Sequence, residues 1–557
     1  MDKRIEPKVF TNLNELWEIL DDGKWGRLGQ LKRRNRMKRF NTFVLAVAFI
    51  SALFACSSSG KGTPSITTPV ALIVSSTSPA SLVTGVTLTA TIGATFNNPL
   101  NALTMTGATF LVSKGTNTIS GTVVVSGVTA TFTPTAVLAP STIYTAMVTT
   151  SVKDSAGTAL ATAATWTFRT KPAITSVKRS NYSSSALDSD GNVWTWGDDS
   201  ATGLGRTPAA NQNNVPGKVS ISNVITIAMA GDATAFVAAA KSDGTVWTWG
   251  LYKGLGTGST NNSDTPVQAT MTLPAGVTVT SLAAGRDHVL ALRSDGIVMS
   301  WGDNYYGQIG DNSTAMRLTP YQVPLTDVKA ISAGYGTSWA IKNDGTVWAW
   351  GYNQDAEFGL NNGADTTNKL TPVAVTWLDG ALSLSAGGRY TTAIKSDGTV
   401  WEFGTDYAKG EGVCNPYPSS GWTGVFWPLQ IKDSAGTSNL TLAAPASVIS
   451  SRWGNNYTLA LKNDGTLLGW GYGSEQLGIG TPAGTTCGST DHYELLPIPA
   501  AIGVDHVIAV EAGPDGGIAV KNDGTVWVWG GNTNNALGVN TGGTLPVLTP
   551  MQVPGLP

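Results

Sequence analysis

Three histidines and three cysteines supply most of the nucleophilic and metal-binding chemistry available to this 557-residue chain. His288 opens the alternating run HVLALR and reads as a structural hydrogen-bonding group in a strand. His492 and His506 have no second His or Cys at ligand spacing, so no metal is expected. Asp188-Ser189-Asp190-Gly191-Asn192 opens like a calcium loop, but no glutamate follows to complete the coordination. Six sister segments lack its first Asp, which favours a hairpin over a cation site. Gly254-Leu255-Gly256-Thr257-Gly258 has the flexibility of a phosphate cradle without the Lys-Ser/Thr that would hold one. Gly-x-Ser-x-Gly elbows and Cys/His pairs are absent. No catalytic residue and no cofactor are therefore assigned, although an active site scattered over several loops would leave no local signature.

The remaining chemistry is recognition. Tyr305, Tyr306, Tyr352, Tyr407, Tyr417, Trp422 and Trp427 fall in the connections that follow Trp-Gly or Phe-Gly strand ends. There they either offer rings to a partner or cap the packing beneath. A net charge of −2 with 13% charged residues leaves no basic stripe, so no nucleic-acid partner is expected.

Repeats must position these groups. The segments SDGNVWTWG, SDGTVWTWG, SDGIVMSWG, NDGTVWAWG, SDGTVWEFG, NDGTLLGWG and NDGTVWVWG recur with their Asp at 190, 243, 295, 344, 397, 464 and 523, in steps of 53, 52, 49, 53, 67 and 59 residues. In HVLALRSDGIVMSWG, apolar residues alternate up to the Asp-Gly pair and resume beyond it, as in two antiparallel strands joined by a tight turn. Asp190-Gly191, Asp243-Gly244, Asp295-Gly296, Asp344-Gly345, Asp397-Gly398, Asp464-Gly465 and Asp523-Gly524 thus predict seven hairpins with two-residue type I′ turns. Trp-x-Trp places two rings on one strand face, where they fill the wedge between neighbouring sheets; twelve of the 19 Trp lie in the repeats. A period near 50 residues with several strands suits a propeller blade.

The stretch LAAGRDHVLALRSDGIVMSWGDNYYGQIGDN, with ISAGYGTSWAIKNDGTVWAWGYN, LSAGGRYTTAIKSDG and VEAGPDGGIAVKNDG, resembles the repeat of the regulator of chromosome condensation family. The likeness covers residues 172–557 and implies an all-β, seven-bladed propeller closed by joining the chain ends. The closing segment TPMQVPGLP, akin to TPYQVPLTDV at Thr319–Val328, is expected to complete a sheet that the first repeat leaves unfinished. No residue here matches the surface by which the eukaryotic namesake promotes nucleotide exchange on a small GTPase, so the resemblance carries fold rather than function.

Ahead of the repeats, Lys32, Arg33, Arg34, Arg36, Lys38 and Arg39 precede the apolar run Phe43–Phe54, too short to span a bilayer comfortably. Leu53-Phe54-Ala55-Cys56 resembles the lipobox of bacterial lipoproteins, which implies lipidation of Cys56 and an outer-membrane destination, Ser57 following it. An ordinary signal peptide with a chance Cys is the other reading. Residues 1–36 precede Met37, which itself begins a well-formed signal peptide (37–56), and are unstructured or a misassigned start. Residues 57–68 form a Ser/Gly/Thr linker. Residues 69–171 alternate in short runs such as VTLTATIGATF, suggest a β-sandwich, and resemble bacterial Ig-like domains of surface proteins.

With Cys56 taken by the anchor, Cys414 and Cys487 remain, ten residues past Gly404 and sixteen past Gly471 in the two longest repeats. Loops from the same end of successive blades lie side by side, so the pair either forms a disulfide or stays as two buried thiols. The expected molecule is a monomeric, surface-tethered lipoprotein whose propeller binds a protein or surface ligand. The alternative is an extracytoplasmic hydrolase or lyase acting on glycans or peptides at the propeller mouth.

Overall fold

The computed structural model describes residues 70–557 outside 200–202, 208–213, 231–235, 389, 405–427, 444–446, 451–456, 481–484, 487–491, 502, 533–534 and 540–544. Its first module is a sandwich of two four-stranded antiparallel sheets. One holds Val74–Ser78, Ile92–Phe96, Thr129–Pro134 and Gly121–Ser126 in that order; the other holds Asn117–Thr118, Phe110–Lys114, Ile143–Val148 and Ala164–Arg169. Alternation sends Ile92, Ala94 and Phe96 from one sheet, and Phe110, Val112, Trp166 and Phe168 from the other, into a single core.

Seven further sheets follow, one per repeat: blades 1 to 7 span 174–218, 224–268, 279–322, 328–374, 381–430, 447–499 and 507–552. Blade 3 shows the plan, with Val279–Ala284, His288–Arg293, Val298–Gly302 and Arg317–Gln322 each hydrogen-bonded to the next. First strands of neighbouring blades touch one another, and that of blade 7 touches that of blade 1, so seven first strands form the inner ring. The outermost strands of blades 2, 3, 4 and 7 carry a proline, Pro266, Pro320, Pro372 and Pro550, which withholds an N–H from an exposed edge.

The Asp-Gly pairs close hairpins, but by a different turn from the expected type I′. In blade 2 the Lys241 N–H donates to Thr245 O (2.9 Å) and the Gly244 N–H to Lys241 O (2.9 Å), which encloses three residues, Ser242-Asp243-Gly244. Only the glycine of each pair has positive φ, for example +90° at Gly244 and +86° at Gly345. This is a turn of type I ending in a glycine bulge. In five of the seven hairpins the Asp side chain supports this turn. Asp243 Oδ1 accepts from the Thr245 N–H (2.9 Å) and hydroxyl (2.6 Å), and the hydroxyl oxygen in turn accepts the Trp247 indole N–H (3.0 Å). Asp344-Thr346-Trp348, Asp397-Thr399-Trp401 and Asp523-Thr525-Trp527 repeat the relay.

The Trp just before the strand-ending Gly packs between blades and is fully buried at 196, 249, 301, 350 and 529. Trp249, Trp301, Trp350 and Trp529 donate their indole N–H to Gly203 O, Gly254 O, Gln308 O and Gln476 O, each in the loop of the preceding blade.

Ring closure also departs from expectation. Blade 1 supplies all four of its own strands, and Val547–Gln552 pairs with Val526–Gly530 in blade 7, so no strand is shared across the seam. Side chains close it instead. Arg179, buried, donates to Gly517 O, Trp529 O (2.7 Å) and Gly531 O (2.6 Å) of blade 7. Lys178 pairs with Glu511 (2.8 Å), and Ser184 Oγ donates to Ala536 O (2.8 Å). Blade 7 makes room for the arginine with Gly513 and Gly516; a Cβ at Gly513 would lie 2.8 Å from Arg179 carbons.

The sandwich reaches both sides of this seam. Arg169 pairs with Asp190 (3.3 Å) and Ser141 Oγ meets Ser189 Oγ (3.0 Å) on the blade 1 hairpin. Ala173 and Leu88 approach Gly524 of the blade 7 hairpin, and Lys171 Nζ donates to Pro557 O (3.3 Å).

Candidate functional site

Antiparallel strands give each blade two ends. At one lie the Asp-Gly hairpins; at the other lie the turn between first and second strands and the loop that follows Trp-Gly. On this second end, the loop face, the Trp-Gly loops are held rigid by a repeated asparagine. Buried Asn304 donates to Asp311 Oδ1 (2.9 Å) and Ser313 O (2.9 Å), and its Oδ1 accepts the Ile309 N–H (2.9 Å). Asn353 does the same with Asp365 O (2.7 Å) and the Phe358 N–H (3.0 Å).

These loops gather four tyrosines across blades 3 and 4. Tyr305 and Tyr306 follow Gly302, Tyr352 follows Gly351, and Tyr335 sits in the first turn of blade 4. Tyr306 lies at the centre, with ring centroids 4.9 Å from Tyr305, 4.8 Å from Tyr352 and 6.3 Å from Tyr335. The contacts with Tyr305 and Tyr352 are edge-to-face, the arrangement ring quadrupoles favour. Gly336 admits this packing, because a Cβ there would lie 2.8 Å from the Tyr306 ring. Tyr305 is 71% exposed.

Charges border the rings. The Arg286 guanidinium lies 4.9 Å from the Tyr335 ring centroid and donates to the Tyr335 hydroxyl. Asp287, largely buried, pairs with Arg286 (3.5 Å) and Lys253 (3.5 Å), and Lys253 is also 3.9 Å from Asp303. Tyr352 Oη donates to Asp355 Oδ2 (3.0 Å). Burial, with Tyr335 alongside, raises the Tyr306 phenol above its ordinary range, so it stays a neutral donor and acceptor.

Three of the seven aromatic residues singled out from the sequence, Tyr305, Tyr306 and Tyr352, therefore meet. Tyr407, Tyr417, Trp422, Trp427, Cys56, Cys414 and Cys487 lie outside the described residues. Tyr335 was missed. Its signal is positional: AGYG occupies the turn that AGRDH occupies one blade earlier, at the same end as the Trp-Gly loops.

The acidic and histidine motifs have structural partners. Asp188 accepts from the Asp190 and Asn192 backbone N–H groups, the Asn192 amide and the Trp194 indole, which makes it the core of its hairpin. His288 Nε2 is 2.9 Å from Ser338 Oγ in the next blade. Among the described residues no group of three or more His, Cys, Asp or Glu could hold a metal ion. No helix among them is long and apolar enough to cross a membrane.

The bacterial Ig-like domain family matches residues 68–170. Two regulator of chromosome condensation (RCC1) repeat families match 243–292, 295–341 and 344–394, and 279–308, 328–357 and 507–536. The chain is 26% identical over 298 residues to the ultraviolet-B receptor UVR8 of Arabidopsis thaliana, covering 53% of this chain and 62% of that protein. It is 29% identical over 383 residues to protein pim1 of Schizosaccharomyces pombe, covering 64% of this chain and 58% of that one. It thus spans less than two thirds of either relative's length. Among solved structures it resembles yeast RCC1 (Prp20) bound to Kap60, with TM-score 0.54 and 20% identity, covering 68% of this chain and 85% of that chain. Human WBSCR16 gives TM-score 0.52 and 20% identity over 65% of this chain and 94% of its own. The chain carries regulator of chromosome condensation repeats folded as a seven-bladed β-propeller, behind a bacterial Ig-like domain.

Proposed function

We propose that this protein is a non-catalytic binding module, tethered to the bacterial envelope through Cys56, that holds a partner protein on the loop face of its propeller. The tyrosine patch carries the reading: of its four rings, Tyr305, which is 71% exposed, Tyr306 and Tyr352 stand on loops fixed by buried asparagines. Rigid amphipathic rings give contact area at small entropic cost, which is why tyrosine is abundant in binding surfaces. The sandwich adds a second argument. It occupies part of the hairpin face, at Asp190 and Gly524, and leaves the loop face at the opposite end of the blades. Saccharomyces cerevisiae Prp20p, a propeller of similar fold, is described with binding to Gsp1p and histones, in keeping with a protein partner here. In this reading residues 57–68 are the tether, 69–171 a spacer and 172–557 the recognition unit.

Two measurements test it. Tyr305→Ala combined with Tyr306→Ala should abolish partner capture from envelope extract while circular dichroism and melting temperature stay near the parent's; undiminished capture would move the site off this face. Cys56→Ala should release the protein from the membrane fraction and remove lipid labelling, and unchanged fractionation would refute the anchor.

A further inference from the structure

We infer that the sandwich carries a self-pairing edge: strand Gly121–Ser126 joins its counterpart in a second copy of this chain, antiparallel about a two-fold axis at Val124. The sandwich has four edge strands, and three are guarded. Val74–Ser78 is broken by a bulge between Val74 and Ser76, and Asn117–Thr118 is two residues long. Ala164–Arg169 is covered by residues 82–86, with the Leu82 N–H donating to Thr167 O (2.6 Å) and the Arg169 N–H to Val83 O (2.8 Å). Bulges, short strands and covering segments are the means by which sheet edges avoid one another. Gly121–Ser126 has none of them. Its register with Thr129–Pro134 runs unbroken over six pairs, it contains no proline and no charge, and among the described residues no strand lies beyond it.

The occupant follows from the order of the side chains. Gly121-Thr122-Val123-Val124-Val125-Ser126-Gly127 reads the same in both directions by residue class: glycine, hydroxyl, three valines, hydroxyl, glycine. Centred on Val124, antiparallel self-pairing sets Thr122 against Ser126 of the second copy, Val123 against Val125, and Val124 against itself. Every pair is matched, hydroxyl with hydroxyl and valine with valine, and no like charges meet. Burial supplies the driving force. Val123 and Val125 pack against the sandwich core yet stay only partly buried at the open edge, and Val124 is 61% exposed on the outer face. Two copies joined here would extend a four-stranded sheet to eight strands and cover those flanks. The sandwich meets the propeller through Leu88, Ser141, Arg169, Lys171 and Ala173, all on other segments, so the edge is reachable in the full chain. The pairing is independent of what the loop face binds.

Cysteine cross-linking of the full chain in cell envelopes tests both the pairing and its register. Val124→Cys should give a disulfide-linked dimer on mild oxidation, because residues facing each other across an antiparallel ladder lie about 4.5–5.5 Å apart at Cα, within disulfide reach. Thr122→Cys alone should stay unlinked, its two copies standing about 14 Å apart along the strands, and so should Ser126→Cys alone; co-expressed, the two should link. Leu103→Cys, 89% exposed elsewhere on the sandwich, sets the rate of chance collision. Differently tagged Val124→Lys chains should not co-purify with one another, nor should Val124→Asp chains, whereas one with the other should, since opposite charges then meet on the axis. Position 124 is exposed, so each variant should melt near the parent's temperature. Linkage at Val124→Cys no faster than at Leu103→Cys would overturn the pairing. Thr122→Cys linking to itself would mean parallel strands and overturn the two-fold axis. Linkage of Val124→Cys to a different protein in place of itself would overturn the second copy as occupant.

Discussion

At the scale of single residues, the Asp-Thr-Trp relay explains why the repeat is spelled Asp-Gly-Thr-Val-Trp. Thr346 donates to Asp344 and accepts from Trp348, so one hydroxyl ties the turn to the strand that buries the next Trp. Thr346→Val keeps the shape and removes both bonds; it should cost about 1 kcal/mol, read as a lower denaturant midpoint with an unchanged m-value. The relay also sets an acid limit. Hydrogen bonds from Thr245, Thr346 and Thr399 lower the carboxyls of Asp243, Asp344 and Asp397 below 3.8, and the Arg293 side chain does so for Asp295. Asp365, bonded first by Lys369, lies at about 2. A carboxyl depressed on folding contributes stability above its unfolded value and loses it as pH falls through its folded one. The propeller should therefore hold its stability down to about pH 4 and lose it progressively below, and Lys369→Met should raise the Asp365 midpoint in a carboxyl-detected NMR titration.

At the scale of elements, the hairpin separates what the residue pattern dictates from what it leaves open. Strand positions, blade number and the inward Trp followed from alternation and period, because core packing enforces both. The turn type did not. Asp-Gly closes two-residue and three-residue loops alike, and blade 3 makes the same bulged turn with Ile297 where five other blades have a Thr that donates to the Asp. Gly345 isolates the backbone contribution: its φ is +86°, yet a Cβ would meet nothing nearer than 4.0 Å. Gly345→Val should cost on the order of 1–3 kcal/mol through conformation alone, and Gly345→Asn distinctly less. Equal melting temperatures for parent and valine variant would contradict the bulged turn. The tyrosine patch was half legible for a similar reason. Tyr305, Tyr306 and Tyr352 lay in obvious loops, whereas Tyr335 hid in a short turn that meets them only once blades 3 and 4 stand side by side.

At the scale of the whole molecule, the seam could not be read because a cyclic repeat has the same strand order wherever it is cut. Hydrogen bonding decides: each fourth strand pairs with the third strand before it, so the cut falls between blades rather than within one. Arg179 then ties blade 1 to blade 7, filling a slot that Gly513 and Gly516 leave open. Arg179→Ala would strand several buried carbonyls and leave a void, and should cost about 3 kcal/mol or more. Amide exchange should quicken first in Ile174–Arg179 and Gly516–Lys521; uniform acceleration around the ring would mean the seam is no weaker than other blade contacts.

The sandwich's grip on both lips of that seam matters most when the molecule is pulled. Tension arriving from the amino-terminal side meets a yoke seated on the blade 1 hairpin through Asp190 and Ser189, and on blade 7 through Gly524 and Pro557, before it reaches Ile174. Load shared between the two ends of a split ring acts in shear across Arg179 and Lys178 instead of peeling the first strand away bond by bond. Held this way, blades 1 and 7 should stay in register under a pull from the amino-terminal side, and with them the ring of seven blades.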